Sequence, residues 1–211
     1  GRKQSPQPKP PMTKQRPVDA AYLERAALFH LERYNSSAEN LRRVLARKAL
    51  RRLGPGADGF RLPPEIDSEI TKLVDRLVAD GWLDDRRYAE AQRYSMRLQG
   101  RSARMIRAKL AAKGVAAEDI DAVMAADGDA GADTDAADEF QADIAAALRL
   151  ARRRRIGPFR GTAPHGQADD SRAWQKEMAR LARAGFSLDI CREIIGMSRD
   201  DAEGRLAADR L

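Results

Sequence analysis

The residues of this chain best suited to chemistry are arginines and lysines that recur at matched positions of a repeated sequence segment. Segments 45–50, 110–115 and 181–186 read LARKAL, LAAKGV and LARAGF, and each closes a helical pattern. The matched cations around them are Arg42 with Arg107, Lys48 with Lys113, Arg47 with Arg183 and Lys109 with Arg180. Such a repeated basic ridge is suited to phosphates or to an acidic protein surface. A solvated helix face with no partner explains the same charges, and both interpretations stay open here.

A second basic cluster is the arginine run at residues 152–155, with Arg149 before it and Arg160 after it. One interpretation is an electrostatic anchor for a polyanion. The other is pairing with the helix-end dipole and with the acidic stretch just upstream. The candidate contact residues are therefore Arg42, Arg43, Arg47, Lys48, Arg104, Arg107, Lys109, Lys113, Arg152, Arg153, Arg154, Arg155, Arg180 and Arg183.

Catalytic and metal-binding patterns are missing from the sequence. His30 and His165 are the only histidines and Cys191 is the only cysteine, so no zinc-type cluster can form. No glycine-rich phosphate loop is present. We therefore expect no enzyme activity, no cofactor and no metal.

Trp174 aligns with Ala103 and Cys191 aligns with Ile120, which are apolar stripe positions of the second repeat. Trp82 could stack on a base, but it lies at a helix end beside Leu83, which favours packing between repeats one and two. We predict that all three are core residues.

Composition points to several thin helical units. Of 211 residues, 34% are charged and only 5% are aromatic, which is little aromatic mass for one large core. The formal net charge of +7 favours polyanionic or acidic partners. No apolar stretch reaches about 20 residues and no secretory signal is visible. We expect a cytoplasmic monomer that does not contact membranes.

The helical patterns predict an all-α, elongated protein built of three tandem three-helix repeats. The predicted third helix begins at Asp67 or Ser68 and carries Ile70, Leu73, Val74, Leu77 and Val78 at helical spacing. The expected organisation is a disordered basic tail (1–17), repeat one (18–83, insertion about 51–66), repeat two (84–126), an acidic linker (127–137) and repeat three (138–211, insertion about 156–170).

Four further segments carry a resemblance to a known family. They are residues 81–90 (GWLDDRRYAE), 101–110 (RSARMIRAKL), 113–115 (KGV) and 183–187 (RAGFS). In this order they resemble the RecX regulatory proteins over roughly residues 20–196. The resemblance implies a curved body of three-helix repeats that binds the RecA recombinase and its nucleoprotein filament. It also implies inhibition of recombination and ATP hydrolysis, without catalysis by the chain itself.

The alternative is a DNA-binding protein built of helix-turn-helix-like units. A base-reading protein concentrates Asn, Gln and Arg at the start of a recognition helix. Here helix starts such as residues 37–39 (Ser-Ala-Glu) are acidic or bland. We therefore expect at most weak, sequence-independent and salt-dependent DNA binding.

Overall fold

The computed structural model describes residues 17–54, 61–125, 136–161 and 167–208, and all regular elements in these ranges are helices. This confirms the predicted all-α helical-repeat fold. The chain divides into two compact units. The first comprises the residues up to Asn35 and Asn40–Trp82, and the second comprises Ser36–Glu39 and all residues from Leu83 onward.

The first unit contains α1 (Ala20–Leu31), most of α2 (Ala38–Leu53) and α3 (Pro64–Ala79). Asp19 caps α1 by accepting a 2.7 Å hydrogen bond from the Tyr22 amide. The predicted start of α3 at Asp67 or Ser68 is wrong, because the helix begins one turn earlier. Pro64 occupies its first turn, where the missing amide hydrogen costs nothing.

The core of the first unit is made by the apolar stripes of these three helices. Its buried residues include Leu23, Leu41, Leu45, Ala49, Ile70, Leu73, Val74 and Leu77. The predicted stripe of α3 is thus confirmed, with one exception. Val78 is 47% exposed, because it lies beside the buried face and not on it.

The second unit begins with α4 (Asp85–Leu98), α5 (Ala103–Ala112) and α6 (Ala117–Ala125). Asp84 caps α4 by accepting from the Arg87 amide, and Ser102 caps α5 by accepting from the Met105 amide. These helices enclose one apolar core that includes Tyr88, Ala89, Met96, Ala103, Ile106, Leu110, Val115, Ile120, Val123 and Met124.

The second unit continues with α7 (Ala136–Arg154), a 3₁₀ turn (Gly157–Phe159), α8 (Gln167–Arg183), α9 (Leu188–Gly196) and α10 (Arg199–Ala208). The predicted insertion at 156–170 is partly structured, because Ile156 and Phe159 are buried and α8 already begins at Gln167. α10 lies beyond the three helices predicted for this part, and it buries Ala202 and Leu206.

One carboxylate joins α4, α5 and α7. Asp143 on α7 forms a buried ion pair with Arg97 on α4 and accepts a 2.7 Å hydrogen bond from the Ala103 amide at the start of α5. Burial raises the pKa of the Asp143 carboxyl, although Arg97 and the Ala103 amide oppose that rise. A similar bond lies elsewhere in the second unit, where Asp85 accepts from the Ala38 amide at 2.8 Å. In both places the first amide of a helix depends on an aspartate from a later helix.

Two predicted segments are not tested by the structure. The predicted basic tail (1–17) and acidic linker (127–137) lie almost wholly outside the described residues. The division into three repeats stays a prediction. Among the described helices, none combines the length and apolar character needed to cross a bilayer.

Candidate functional site

The cations of α2 are held by contacts within the first unit. Arg42 forms an ion pair with Asp75 of α3. The Arg47 guanidinium donates from Nε to the Arg43 carbonyl oxygen at 3.2 Å, one turn back on the same helix. The Lys48 ammonium lies 5.3 Å from the centroid of the Phe29 ring. These contacts orient the three side chains, and every contact lies within the first unit.

The matching cations of α5 are also engaged. Arg107 binds Asp121 of α6 at 2.5 Å and Glu139 of α7 at 2.9 Å. The pKa of Arg107 is raised: burial acts to lower it, and the hydrogen bonds and charges of Glu139 and Asp121 outweigh burial. The Arg104 guanidinium donates to the Gly185 carbonyl oxygen at 3.3 Å. Lys109 is exposed, and Lys113 is the C-cap residue of α5.

These contacts give the sequence register of the basic residues a structural reason. Arg42 joins α2 to α3, and Arg107 joins α5 to α6, in each case through an aspartate of the following helix. Likewise Arg183 donates to the Ala179 carbonyl oxygen at 3.1 Å, the same intrahelical bond that Arg47 makes. Contacts within the helices and between neighbouring helices thus explain two of the four matched pairs, Arg42 with Arg107 and Arg47 with Arg183. A contact of any of these cations with a partner stays a prediction.

The structure brings the other candidates together in one cleft, which we call the arginine cleft. It has a volume of about 500 Å³ and lies in the second unit where the C-terminal ends of α4, α7 and α8 meet. Its lining residues are Arg101, Leu150, Arg153, Arg154, Arg155, Ile156, Arg180, Arg183 and Ala184. The arginine run at 152–155 and the cations of α8, which are separate in sequence, thus form one surface. Arg152 is exposed but does not line the cleft.

Among the described residues, the arginine cleft carries positive charge that no carboxylate pairs with. Two of its six guanidinium groups donate to backbone oxygens, Arg153 to Gln99 at 2.6 Å and Arg183 to Ala179. Within the part of the chain that the structure describes, none of the six forms an ion pair with a carboxylate. Three helix C-termini together supply only about −1.5 elementary charges. Dipole pairing alone therefore leaves roughly four positive charges. The other part of that alternative, the acidic linker (127–137), lies almost wholly outside the described residues.

Arg155 stands in an unusual backbone conformation. Its φ of 54° lies in the left-handed region, and it is the one non-glycine residue there among the described residues. The amide of the following residue, Ile156, donates to the Ala151 carbonyl oxygen at 2.9 Å, which closes α7 in a Schellman motif. Glycine is the usual residue at this position, because a Cβ is disfavoured there.

At the end of α4, the position equivalent to Arg155 is occupied by glycine. There Gly100 has φ 68°, and the Arg101 amide donates to the Met96 carbonyl oxygen at 3.0 Å. A Cβ at Gly100 would lie 2.7 Å from both the Ala146 oxygen and the Leu150 Cβ, so no side chain fits. The end of α7 faces solvent, which is why Arg155 is sterically tolerated although its backbone is strained.

Sequence reasoning placed two aromatic residues wrongly and one thiol correctly. Trp82 is 63% exposed and Trp174 is 43% exposed, so neither is the core residue that was predicted. Cys191 is fully buried, as predicted, and burial raises the pKa of its thiol. Glu177, which interrupts the apolar stripe of α8, is buried and binds Arg160 through two hydrogen bonds of 2.9 and 2.6 Å.

Arg101 is the cleft residue that the sequence candidates omitted. It directly follows the glycine that ends α4, and nothing in the sequence links that turn to residues 153–155 or to α8. In the described ranges no group of three or more metal-ligating side chains comes together. The six arginines that line the cleft are suited to electrostatic binding of an anion.

Comparison with known proteins places the chain in a family. Residues 84–124, which span α4, α5 and nearly all of α6, match the model of the second three-helix domain of RecX. A "Regulatory protein RecX" from Myxococcus xanthus (strain DK1622) is 38% identical over 182 residues, covering 85% of this chain and 87% of that protein. The chain belongs to the RecX family.

A second RecX relative is more distant. A "Regulatory protein RecX" from Agrobacterium fabrum (strain C58) is 27% identical over 194 residues, covering 89% of each protein. These findings confirm the resemblance that the sequence motifs indicated. In this RecX-family chain, the matched helices α4–α6 supply Arg101, while the other five arginines of the cleft come from α7 and α8 and the turn between α7 and the 3₁₀ helix.

Proposed function

We propose that this protein is a non-enzymatic regulator that binds the RecA recombinase and its nucleoprotein filament and inhibits recombination and ATP hydrolysis. The observation that carries the proposal is the 38% identity to a protein named as a RecX regulatory protein, over 85% of the chain. The family resemblance implies RecA as the partner. We further propose that the chain acts in the cytoplasm as a monomer.

Two structural features support a regulator that works by binding. The chain presents cations on α2, α5 and α8, and successive helical segments of this kind suit a partner that itself repeats. The arginine cleft adds a concentrated positive charge, which suits an acidic or phosphate-bearing partner. Both features act through electrostatics and neither requires a reaction.

The test is RecA-catalysed ATP hydrolysis and strand exchange on single-stranded DNA, with this protein added at substoichiometric amounts relative to RecA. We expect both activities to fall, because one bound regulator affects many subunits of a filament. Doubling the DNA at fixed RecA and regulator should leave the inhibition unchanged. If a molar excess of the protein alters neither activity, the proposal is wrong.

A second candidate function is favoured by the arginine cleft. A sequence-independent DNA-binding protein would also inhibit RecA, by covering its DNA. In that case inhibition would begin only when enough protein is present to cover the strand, and added DNA would reverse it. The DNA-doubling arm of the experiment separates these two mechanisms.

A further inference from the structure

We propose that the arginine cleft binds the phosphodiester backbone of single-stranded nucleic acid. The inference rests on the proposed function only for its setting, a nucleoprotein filament. The contact itself concerns this chain and nucleic acid, and it is measurable with no recombinase present.

The first argument is convergence. Arg101 at the end of α4, Arg154 at the end of α7 and Arg180 near the end of α8 come from segments 26 to 79 residues apart, yet they line one cleft. Each guanidinium offers a planar fork of donors that matches phosphate oxygens. Three such forks, from three helix ends, surround a ligand from several directions.

The second argument is charge. A helix C-terminus attracts cations, and one arginine at each of three ends would be sufficient for that purpose. The arginine cleft holds six, and none forms an ion pair with a carboxylate within the described ranges. A polyanion with closely spaced charges would neutralise these guanidinium groups. Single-stranded nucleic acid is such a polyanion, because it carries one phosphate for every nucleotide.

The third argument is the strained backbone at Arg155. The position is one that glycine fills at the ends of α4, α5 and α8, where Gly100, Gly114 and Gly185 all have positive φ. Placing an arginine there costs backbone strain, and no described side chain pairs with it. Strain retained at a surface position in a charged cleft is typical of a binding site.

The chemistry of the lining favours a nucleic-acid strand over an acidic peptide. Leu150, Ile156 and Ala184 lie buried beneath the cleft, so its accessible surface is made by the six arginine side chains. Arginine planes can stack on unpaired bases. No Asn or Gln lines the cleft to read base edges, so binding should not depend on sequence.

The experiment is fluorescence anisotropy of the full chain with a labelled 30-nucleotide oligo-dT at several salt concentrations. The test variant is Arg101→Ala, Arg154→Ala and Arg180→Ala combined, one arginine from each helix end. The matched control is Arg87→Ala, Arg172→Ala and Arg192→Ala combined. These are three exposed arginines of the same unit that lie outside the cleft. Both variants lose three positive charges, and circular dichroism checks that both retain their helix content.

We expect the cleft variant to bind oligo-dT about 100-fold more weakly at 0.1 M salt, with a salt slope about 2 units shallower, because each lost phosphate contact contributes about 0.7. The control should stay within about threefold of the parent. A mixed-sequence oligonucleotide should bind as oligo-dT does.

Three results would overturn the inference. The cleft variant could bind DNA like the parent, or the control could lose as much affinity as the cleft variant. Alternatively, the cleft variant could keep its DNA affinity and lose affinity only for labelled polyglutamate, which would assign the cleft to an acidic protein surface. A RecA ATP hydrolysis assay run with the same proteins keeps the two proposals separate. Inhibition by the parent tests the proposed function, and DNA affinity of the variants tests the cleft.

Discussion

The left-handed conformation of Arg155 leads to a prediction in which stability and binding change in opposite directions. Replacing Arg155 with glycine removes the Cβ that the backbone at φ 54° disfavours. It also removes one of the six guanidinium groups of the arginine cleft. The variant should therefore be more stable than the parent and should bind single-stranded DNA more weakly.

The magnitude of the stability change follows from two opposing terms. A non-glycine residue in the left-handed region costs about 1–2 kcal/mol. Glycine gives back about 0.4–1 kcal/mol of this through the greater entropy of the unfolded chain. The net gain is about 0.7 kcal/mol, which for a unit of about 130 residues raises the melting temperature by about 2–3 °C.

The binding change is worked in the same way. One lost phosphate contact makes the salt slope about 0.7 units shallower and weakens binding about fivefold at 0.1 M salt. Differential scanning calorimetry measures the first effect, and oligo-dT anisotropy measures the second. Arg155→Ala is the matched control, because it removes the guanidinium but keeps the Cβ. It should weaken binding equally without the gain in melting temperature.

Either half of this reasoning can be refuted separately. If Arg155→Gly melts no higher than Arg155→Ala, the conformation at the end of α7 is not a source of strain. If Arg155→Gly binds oligo-dT like the parent, Arg155 does not contact the strand, whatever the other arginines do.

Four further predictions concern the second unit. Asp143→Ala should lower the free energy of unfolding in urea by about 3 kcal/mol, because it leaves Arg97 buried without its partner, and a loss below about 0.5 kcal/mol would contradict this. Since burial raises the pKa of Asp143 above its ordinary 3.8, the stability that Asp143 contributes should be lost as pH rises through its folded pKa, and urea titrations of Asp143→Asn should lack that part of the slope. The Cys191 thiol should react with a disulfide reagent only as fast as the protein unfolds, because it is buried and its raised pKa disfavours the thiolate; rapid labelling of the native protein would show otherwise. Arg107→Ala should destabilise the fold by about 0.5–1.5 kcal/mol through its two lost ion pairs, whereas Lys109→Ala should change urea stability by less than about 0.5 kcal/mol.

The helices were largely predictable because they depend on local pattern. The apolar stripe of α3 is spaced at helical intervals, and its residues are buried as predicted, apart from Val78. The start of α3 was missed because Pro63 and Pro64 were interpreted as part of a loop. Proline is tolerated in the first turn of a helix, so the same residues equally permit a start there.

Trp174 shows the limit of extending a repeat across an insertion. Alignment with α5 placed it on the buried stripe, but among the described side chains of α8 burial begins only at Glu177. Glu177 itself is buried because Arg160, from the segment between α7 and α8, neutralises it. A periodicity argument has no way to anticipate a buried acid whose partner lies in an irregular segment.

The family was predictable from four short motifs, and the arginine cleft was not. Residues 152–155 and the cations of α8 were recognised as basic, but as two separate features. They form one cleft because the C-terminal ends of α4, α7 and α8 lie close together in the folded protein. Arg101 belongs to the cleft for the same reason, since it follows the end of α4. The conformation of Arg155 is likewise a property of the folded backbone, although the glycine at the end of α4 offered a clue to the position.

The bond from the Ala103 amide to Asp143 has a consequence for where the chain can be divided. The helices α4–α6 share one apolar core, which suggests a self-contained module that could be cut after Ala125. Such a fragment would keep the core yet lose the acceptor for the first amide of α5 and the counterion of Arg97. The hydrophobic core of α4–α6 thus ends before α7, whereas the polar contacts of α4 and α5 extend to Asp143 on α7. Anyone dissecting this protein by truncation should expect α5 to fray from its N-terminal end unless the fragment extends through α7.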